Sequence, residues 1–298
     1  MHAVPPSRTG RRRRQVAAGL CAATIAFCVA GPAGAETDLT FGVYASDKPS
    51  AMVEQIRPTI DVVERKLGAL LNDSVHIKLE VLPDYRSGRE VLTSGQIDFA
   101  RLGGASYVTA KKESPDIELL VAELNGDAKS FGGVICARLD SPVREVAQLK
   151  GKTFAFGAEQ STLGRYGAQL FLARAGITSS DLKGFKYLDR HDRVAAAVAA
   201  GQFDAGALEE TIFNKLANEG LQIRAIASYR DATKAWAARV GLEPALKAAL
   251  RNALLAVRDP AALKALRFDG FAEATDADYE RTRAAIKENW RFFQKPPS

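Results

Sequence analysis

Cysteine and histidine are nearly missing from this chain: three of each in 298 residues. Two of the cysteines, Cys21 and Cys28, and one histidine, His2, fall in the first 35 residues, which read as a leader. Only Cys136, His76 and His191 remain beyond it. A lone cysteine forms no internal disulfide, so packing must hold the fold. One cysteine and two distant histidines supply no zinc cluster. His76 sits within a strand-like run and reads as structural or exposed. The catalytic signatures G-x-S-x-G, the P-loop and H-E-x-x-H are also lacking, which removes the commonest hydrolase and nucleotide chemistries. No cofactor is expected.

No apolar run beyond residue 35 is long enough to span a membrane, which takes about 20 apolar residues. Before it, Arg11 to Arg14 form a basic region and Val16 to Ala30 an apolar one. "AGA" at Ala33 to Ala35 supplies the small-x-small pattern of a cleavage site. That is the anatomy of a secretory signal peptide over residues 1–35. Phe27 before Cys28 argues against a lipoprotein site. The leader carries five arginines and no acid, so 41 basic against 35 acidic residues become 36 against 35 beyond it. The basic balance belongs to the leader, and no nucleic-acid partner is inferred from it. The expected product is a soluble monomer.

What remains alternates between strands and helices. "TDLTFGVYAS" reads as a buried strand, and a helix with helically spaced apolar residues follows from about Met52 to Leu71. "VHIKLEVL", "IDFARLG", "IELLVAEL", "FGGVICAR", Thr153–Phe156, "FKYL", "FDAGAL" and "LQIRAIA" are further strands. Helices between them argue for an α/β fold with largely parallel sheets. From Leu242 onward the chain reads as almost wholly helical. "REVLTSGQIDFARL" and "RVAAAVAAGQFDAGAL" echo one another, with Asp98 and Asp204 in the same place. The echo suggests two similar α/β lobes; the plainer reading is a recurrent Gly-Gln helix stop.

In "FAFGAEQSTLGRYGAQLFLARAG" a strand, a turn and a helix succeed one another, with Ser161 and Thr162 at the helix start. A helix N-terminus exposes up to four unpaired N–H groups and about half a positive charge. Two readings stand: an ordinary serine cap, or an anion site in which hydroxyls assist the backbone donors. His191 opens another helix after a strand, where an imidazolium could pair with an anion. Glu209 and Glu210 end a third strand. In open α/β sheets ligands lie beyond the carboxyl ends of strands, so these residues describe one cleft edge.

At these residues the chain resembles the phosphate/phosphite/phosphonate-binding proteins of ABC transporters, a branch of the type II periplasmic binding proteins. "FGVYASDKPS" is similar to that family's opening strand and loop. "LPDY", "GQIDFARLGGASYV", "LKGKTFAFGAEQSTLG" and "HDRVAAAVAAGQFDAGALEE" are similar to its later blocks. The resemblance implies two lobes closing on a ligand in the cleft: residues 36–138 as the first part of lobe one, 139–230 as lobe two, and 231–298 returning to lobe one with the C-terminal helices. It implies that Ser161 and Thr162 hold an oxyanion, that His191 donates to it, and that Tyr85 reaches across. Tyr44, Tyr107, Phe131 and Leu163 join the implied site by position, with Glu209 and Glu210.

Three positions depart from the family pattern: Leu163 replaces a second serine, Phe131 stands where an aromatic hydroxyl is expected, and "SYRDATKAW" lacks a Pro-Gly-Asp-Pro turn. The last two favour a small or modified oxyanion, or another anion such as a carboxylate, over an aminoalkyl phosphonate. The implied role is periplasmic solute capture for an inner-membrane ABC permease, without catalysis. Two other readings are a sensor partnering a membrane histidine kinase and an exported enzyme; the missing nucleophile–base pair counts against the second.

Overall fold

The structure, a computed structural model, describes residues 36–294; the leader expected at residues 1–35 lies outside them. Strands and helices alternate from the first described residue: β1 (Glu36–Tyr44), α1 (Pro49–Leu71), β2 (Ser74–Leu82), α2 (Tyr85–Thr93), β3 (Phe99–Leu102), α3 (Gly104–Glu113) and β4 (Glu118–Leu124). Next come β5 (Ser130–Arg138), β6 (Thr153–Phe156), a π-helical turn (Thr162–Gly167) running into α4 (Ala168–Arg174), β7 (Gly184–Tyr187), α5 (His191–Ala199), β8 (Ala205–Glu209), α6 (Glu210–Asn218) and β9 (Ile223–Ala232). The chain ends with β10 (Ala235–Ala238), α7 (Pro244–Leu255), α8 (Pro260–Leu266), β11 (Gly270–Ala272), α9 (Glu280–Lys287) and α10 (Trp290–Phe293). No helix among the described residues is long and apolar enough to cross a membrane.

The strands form two sheets, ordered β11-β4-β10-β3-β1-β2 and β7-β6-β8-β5-β9. The expected α/β class holds, and each sheet is the centre of one lobe. β1 runs parallel to β2 and β3, and β6 runs parallel to β7 and β8. The inner strands β3, β6 and β8 are buried on both faces, which is why they read as continuous apolar runs, whereas the edge strands β2 and β7 are only partly buried. In the first lobe Phe41 stacks on Trp236 with ring centroids 4.7 Å apart and meets Phe99 at 4.8 Å. In the second, Phe156 packs against Phe154, Phe185 and Phe292.

Two segments, β4–β5 and β9–β10, carry the chain between the lobes, and they run side by side. β10 lies antiparallel to β4 in the first sheet, and β9 lies antiparallel to β5 in the second. At the junction Glu123 N–H donates to the Lys234 carbonyl (3.1 Å) and Thr233 N–H to that of Lys129 (3.2 Å). The expected boundary at residue 138 is therefore too late. β5 belongs to the second sheet, and the crossing falls at residues 125–129. Nor do all C-terminal helices return to lobe one: Phe292 of α10 is buried with Phe154 and Phe156 in the second lobe's core. The almost wholly helical reading beyond Leu242 did not place β11, a three-residue edge strand on β4. β10 was missed because "AWAA" is short and alanine-rich.

The internal echo has a physical basis. Asp98, just before β3, accepts the N–H of Thr40 on the neighbouring β1 (2.8 Å). Asp204, just before β8, accepts both the N–H and the hydroxyl of Thr153 on the neighbouring β6 (2.8 Å each). Each carboxylate ties the start of one parallel strand to the next. Gly95 and Gly201 end the preceding helices at φ 78° and 72°, a backbone conformation that glycine adopts without strain.

Candidate functional site

Parallel strands followed directly by helices leave the helix N-termini at one end of each sheet. Here the ends from both lobes face each other. Tyr85 is the first residue of α2 and Gly103 caps α3, on the first lobe. Ser161 caps the π-helical turn, His191 opens α5 and Glu209 caps α6, on the second. These five residues, with Tyr44, Phe131, Thr162, Leu163 and Lys234, line a small, tightly closed cavity of about 10 Å³. It gathers the positive ends of five helices.

Ser161 caps, as the plainer reading held: its Oγ accepts the Gly164 N–H at 2.9 Å. The turn it opens is π-helical, not the regular α-helix expected from the periodicity. That geometry follows from a close approach of two glycines. Gly157 N–H donates to the Gly164 carbonyl at 2.8 Å, and a Cβ on Gly164 would lie 2.9 Å from the Gly157 Cα. Any side chain there would push the turn off the end of β6. π-turns of this kind recur at functional sites. The N–H groups of Thr162 and Leu163, at the start of the turn, have no acceptor among the described residues.

Thr162, the first residue of the turn, does not cap it. Its Oγ1 accepts the N–H of Ala105, in the first turn of α3 on the opposite lobe, at 2.9 Å. The hydroxyl hydrogen is then left to donate into the cavity. Other bonds cross the cleft beside it. His191 N–H donates to the Ser46 carbonyl (3.0 Å), Lys215 faces Asp47 (3.7 Å), and Arg89 reaches Gln160. Tyr44 and Tyr85 stack with centroids 4.0 Å apart. Burial pushes both phenols above their ordinary range, so both stay protonated donors. Tyr44 Oη already accepts the Gly103 N–H (2.5 Å).

Not every residue expected in the site reaches it. Of the two glutamates, Glu209 lines the cavity, while the Glu210 carboxylate lies over Gly132 of β5. Tyr107 turns from the cavity and packs on Tyr279, with ring centroids 4.6 Å apart. Lys234 and Gly103 were missed. Lys234 is buried, its Nζ 2.6 Å from Glu209 Oε2 and 4.6 Å from the centroid of the Phe131 ring. A single lysine heading an apolar strand, "KAWAA", was the only signal available. Burial would raise the Glu209 carboxyl, but Lys234, with His191 and Arg101, holds it well below its usual value.

His191 is not the imidazolium first envisaged. It is only 2% exposed and its Nδ1 has no hydrogen-bond partner. Burial pushes its pKa down to about 4, against the pull of Glu209, so at neutral pH it is an uncharged donor–acceptor. In an unfolded chain a histidine titrates near 6.5. As pH falls from about 6.5 to 4 the unfolded state takes up a proton that the folded state refuses, so stability is lost across that window. The full loss is about 3 kcal/mol, from 1.36 kcal/mol per pKa unit. Denaturant titrations of the wild type and His191→Gln at several pH values should show a shallower acid loss in the variant. Equal pH slopes would contradict a neutral, buried His191.

The sequence profile of ABC-transporter phosphonate periplasmic substrate-binding proteins matches residues 41–279. Over 201 residues the chain is 27% identical to PhnD1 of Prochlorococcus marinus strain MIT 9301, a probable ABC transporter phosphite binding protein, covering 61% of this chain and 67% of that one. The structure of PhnD1 from Prochlorococcus marinus in complex with methylphosphonate aligns with a TM-score of 0.74 at 21% identity, over 86% of this chain and 97% of that one. A binding protein component of an ABC phosphonate transporter from Pseudomonas aeruginosa aligns with a TM-score of 0.76 at 17% identity, over 87% and 88%. These structural likenesses show the two-lobed fold. With a profile match through most of both lobes, the chain belongs to the family of periplasmic substrate-binding proteins of phosphonate ABC transporters, which capture solutes for import and are not enzymes.

Proposed function

We propose that this protein captures a small tetrahedral oxyanion of the phosphate, phosphite or phosphonate class in the cavity between its lobes. The observation that carries this reading is the pair of unpartnered N–H groups at Thr162 and Leu163, opening a helical turn into a buried cavity ringed by helix N-termini. Donors of this kind suit an anion with several oxygens, because helix N-termini supply both N–H groups and partial positive charge. Thr162 and the two tyrosine hydroxyls add donors from both lobes. His191, uncharged, offers a further ring nitrogen. The phosphite and methylphosphonate relatives are consistent with this class.

Ligand and lobes are coupled in this reading. An anion touching both lobes binds the closed arrangement better than an open one and shifts the population toward it. The partner is the permease of an ABC importer, and the protein acts as a monomer. Residues 1–35 act as a cleaved leader that delivers it to the periplasm. Mass spectrometry of the exported protein should find an N-terminus near Glu36; retention of the arginine-rich segment would count against a cleaved leader.

Thr162→Val keeps the side-chain shape and deletes both its donor and its acceptor. A hydrogen bond to a charged, buried ligand is worth about 1.5–3 kcal/mol, or roughly ten- to a hundredfold in affinity. A thermal-shift screen over phosphate, phosphite, methylphosphonate, sulfate and small carboxylates comes first. The true ligand should stabilise the wild type by about 2.7 kcal/mol at a hundredfold excess over its Kd. Calorimetric titration of Thr162→Val with that ligand should then show the affinity loss. Unchanged affinity would remove Thr162 from the site, and a screen in which no tetrahedral oxyanion stabilises the protein would refute the proposed class.

A further inference from the structure

Lys234 occupies the short link between β9 and β10, where the chain crosses from one lobe to the other. It is 6% exposed, and its Nζ has two neighbours on the cavity wall: the Glu209 carboxylate at 2.6 Å and the face of Phe131 at 4.6 Å. An ammonium has three N–H donors. Glu209 takes one and the ring face attracts the cation as a whole. At least one donor is left for an acceptor in the cavity, which Lys234 itself lines.

Glu209 is correspondingly occupied. Its Oε2 is held by Lys234, and its Oε1 accepts the Thr211 hydroxyl at 2.7 Å. Arg101, which also faces this corner, is engaged in a bidentate pair with Glu123 (2.5 and 2.9 Å). The charges on the wall therefore cancel, leaving the helix ends to set its sign. Without Lys234 the same wall would present a buried carboxylate. That group would repel an oxyanion and welcome a ligand ammonium.

We propose that Lys234 is a specificity-determining residue: by neutralising Glu209 and offering a donor of its own, it admits oxyanions without a cationic substituent and excludes aminoalkyl analogues. The inference rests on the oxyanion reading above and refines its ligand class. A purely structural ion pair makes a different forecast. Breaking it lowers stability and scales all ligands alike, whereas a specificity role changes the ratio between ligands that differ only in an amine. The two partners must also act in opposite directions.

Methylphosphonate and 2-aminoethylphosphonate are the probes, titrated calorimetrically into the wild type, Lys234→Gln and Glu209→Gln. The wild type should prefer methylphosphonate by at least a hundredfold. Lys234→Gln should reduce that preference at least tenfold, through weaker methylphosphonate binding and stronger 2-aminoethylphosphonate binding. Glu209→Gln, which leaves the ammonium uncompensated, should widen the preference. Should Lys234→Gln fail to fold, Glu209→Gln carries the test: a preference left unchanged or reduced there overturns the specificity role of the pair. A wild type that binds methylphosphonate with a preference unmoved by Lys234→Gln overturns the role of Lys234 and leaves the oxyanion reading intact. A wild type that binds neither probe, nor any other oxyanion, overturns both.

Discussion

The structure depends on one electrostatic arrangement: helix N-termini from two lobes pointing into a single buried cavity. Each parallel strand delivers a helix start at the same edge of its sheet, and the two sheets turn those edges toward each other. Unpaired N–H groups at a helix start cost roughly 1–3 kcal/mol each when buried without a partner. An anion bound there, as proposed, would satisfy several such N–H groups at once. The bonds that cross the cleft without a ligand are modest by comparison. Thr162 with Ala105 and His191 with Ser46 are two ordinary hydrogen bonds. Lys215 with Asp47, at 3.7 Å and with the lysine 30% exposed, adds about 0–1 kcal/mol once solvent screening is counted.

A second arrangement lies behind the first. Arg101 and Glu123, both buried, pair across β3 and β4, and the Trp236 indole N–H on the intervening β10 donates to the same Glu123 oxygen at 2.8 Å. A buried pair is weak evidence for stability in itself, because desolvation offsets much of the attraction, but loss of one partner is costly. Its location gives it a role. It fixes β10 between its neighbours where the crossing begins, two residues beyond Lys234. The lysine thus stands next to a strand held on both sides, where the chain crosses between the lobes.

Much of this was legible in the sequence. The strand–helix alternation follows from apolar runs with turn residues between them, and the Asp98/Asp204 echo marked the equivalent strand of each lobe. Ser161, Thr162, His191 and Glu209 were legible for one reason: each stands at a strand-to-helix junction, a feature local to a few residues. Lys234 was not legible, because its meaning depends on Glu209, 25 residues earlier, and on Phe131 across a sheet. The choice between Glu209 and Glu210 turned on which of two adjacent residues ends the strand. Tyr107 lies one turn too far along α3, on the face that packs against α9, and no local pattern separates that face from the cleft. The π-helical turn was hidden for a similar reason. It arises from the contact between Gly157 and Gly164, not from any periodicity of the turn itself.

The central claim is that the helix starts hold the ligand directly. A crystal structure of the protein grown with methylphosphonate tests it most directly. Density should lie between the lobes with phosphonate oxygens within hydrogen-bonding distance of the Thr162 and Leu163 N–H groups, and with Tyr85 donating from the opposite lobe. An occupied cleft in which those two N–H groups face water or the protein, with the anion held only by side chains elsewhere, would contradict it.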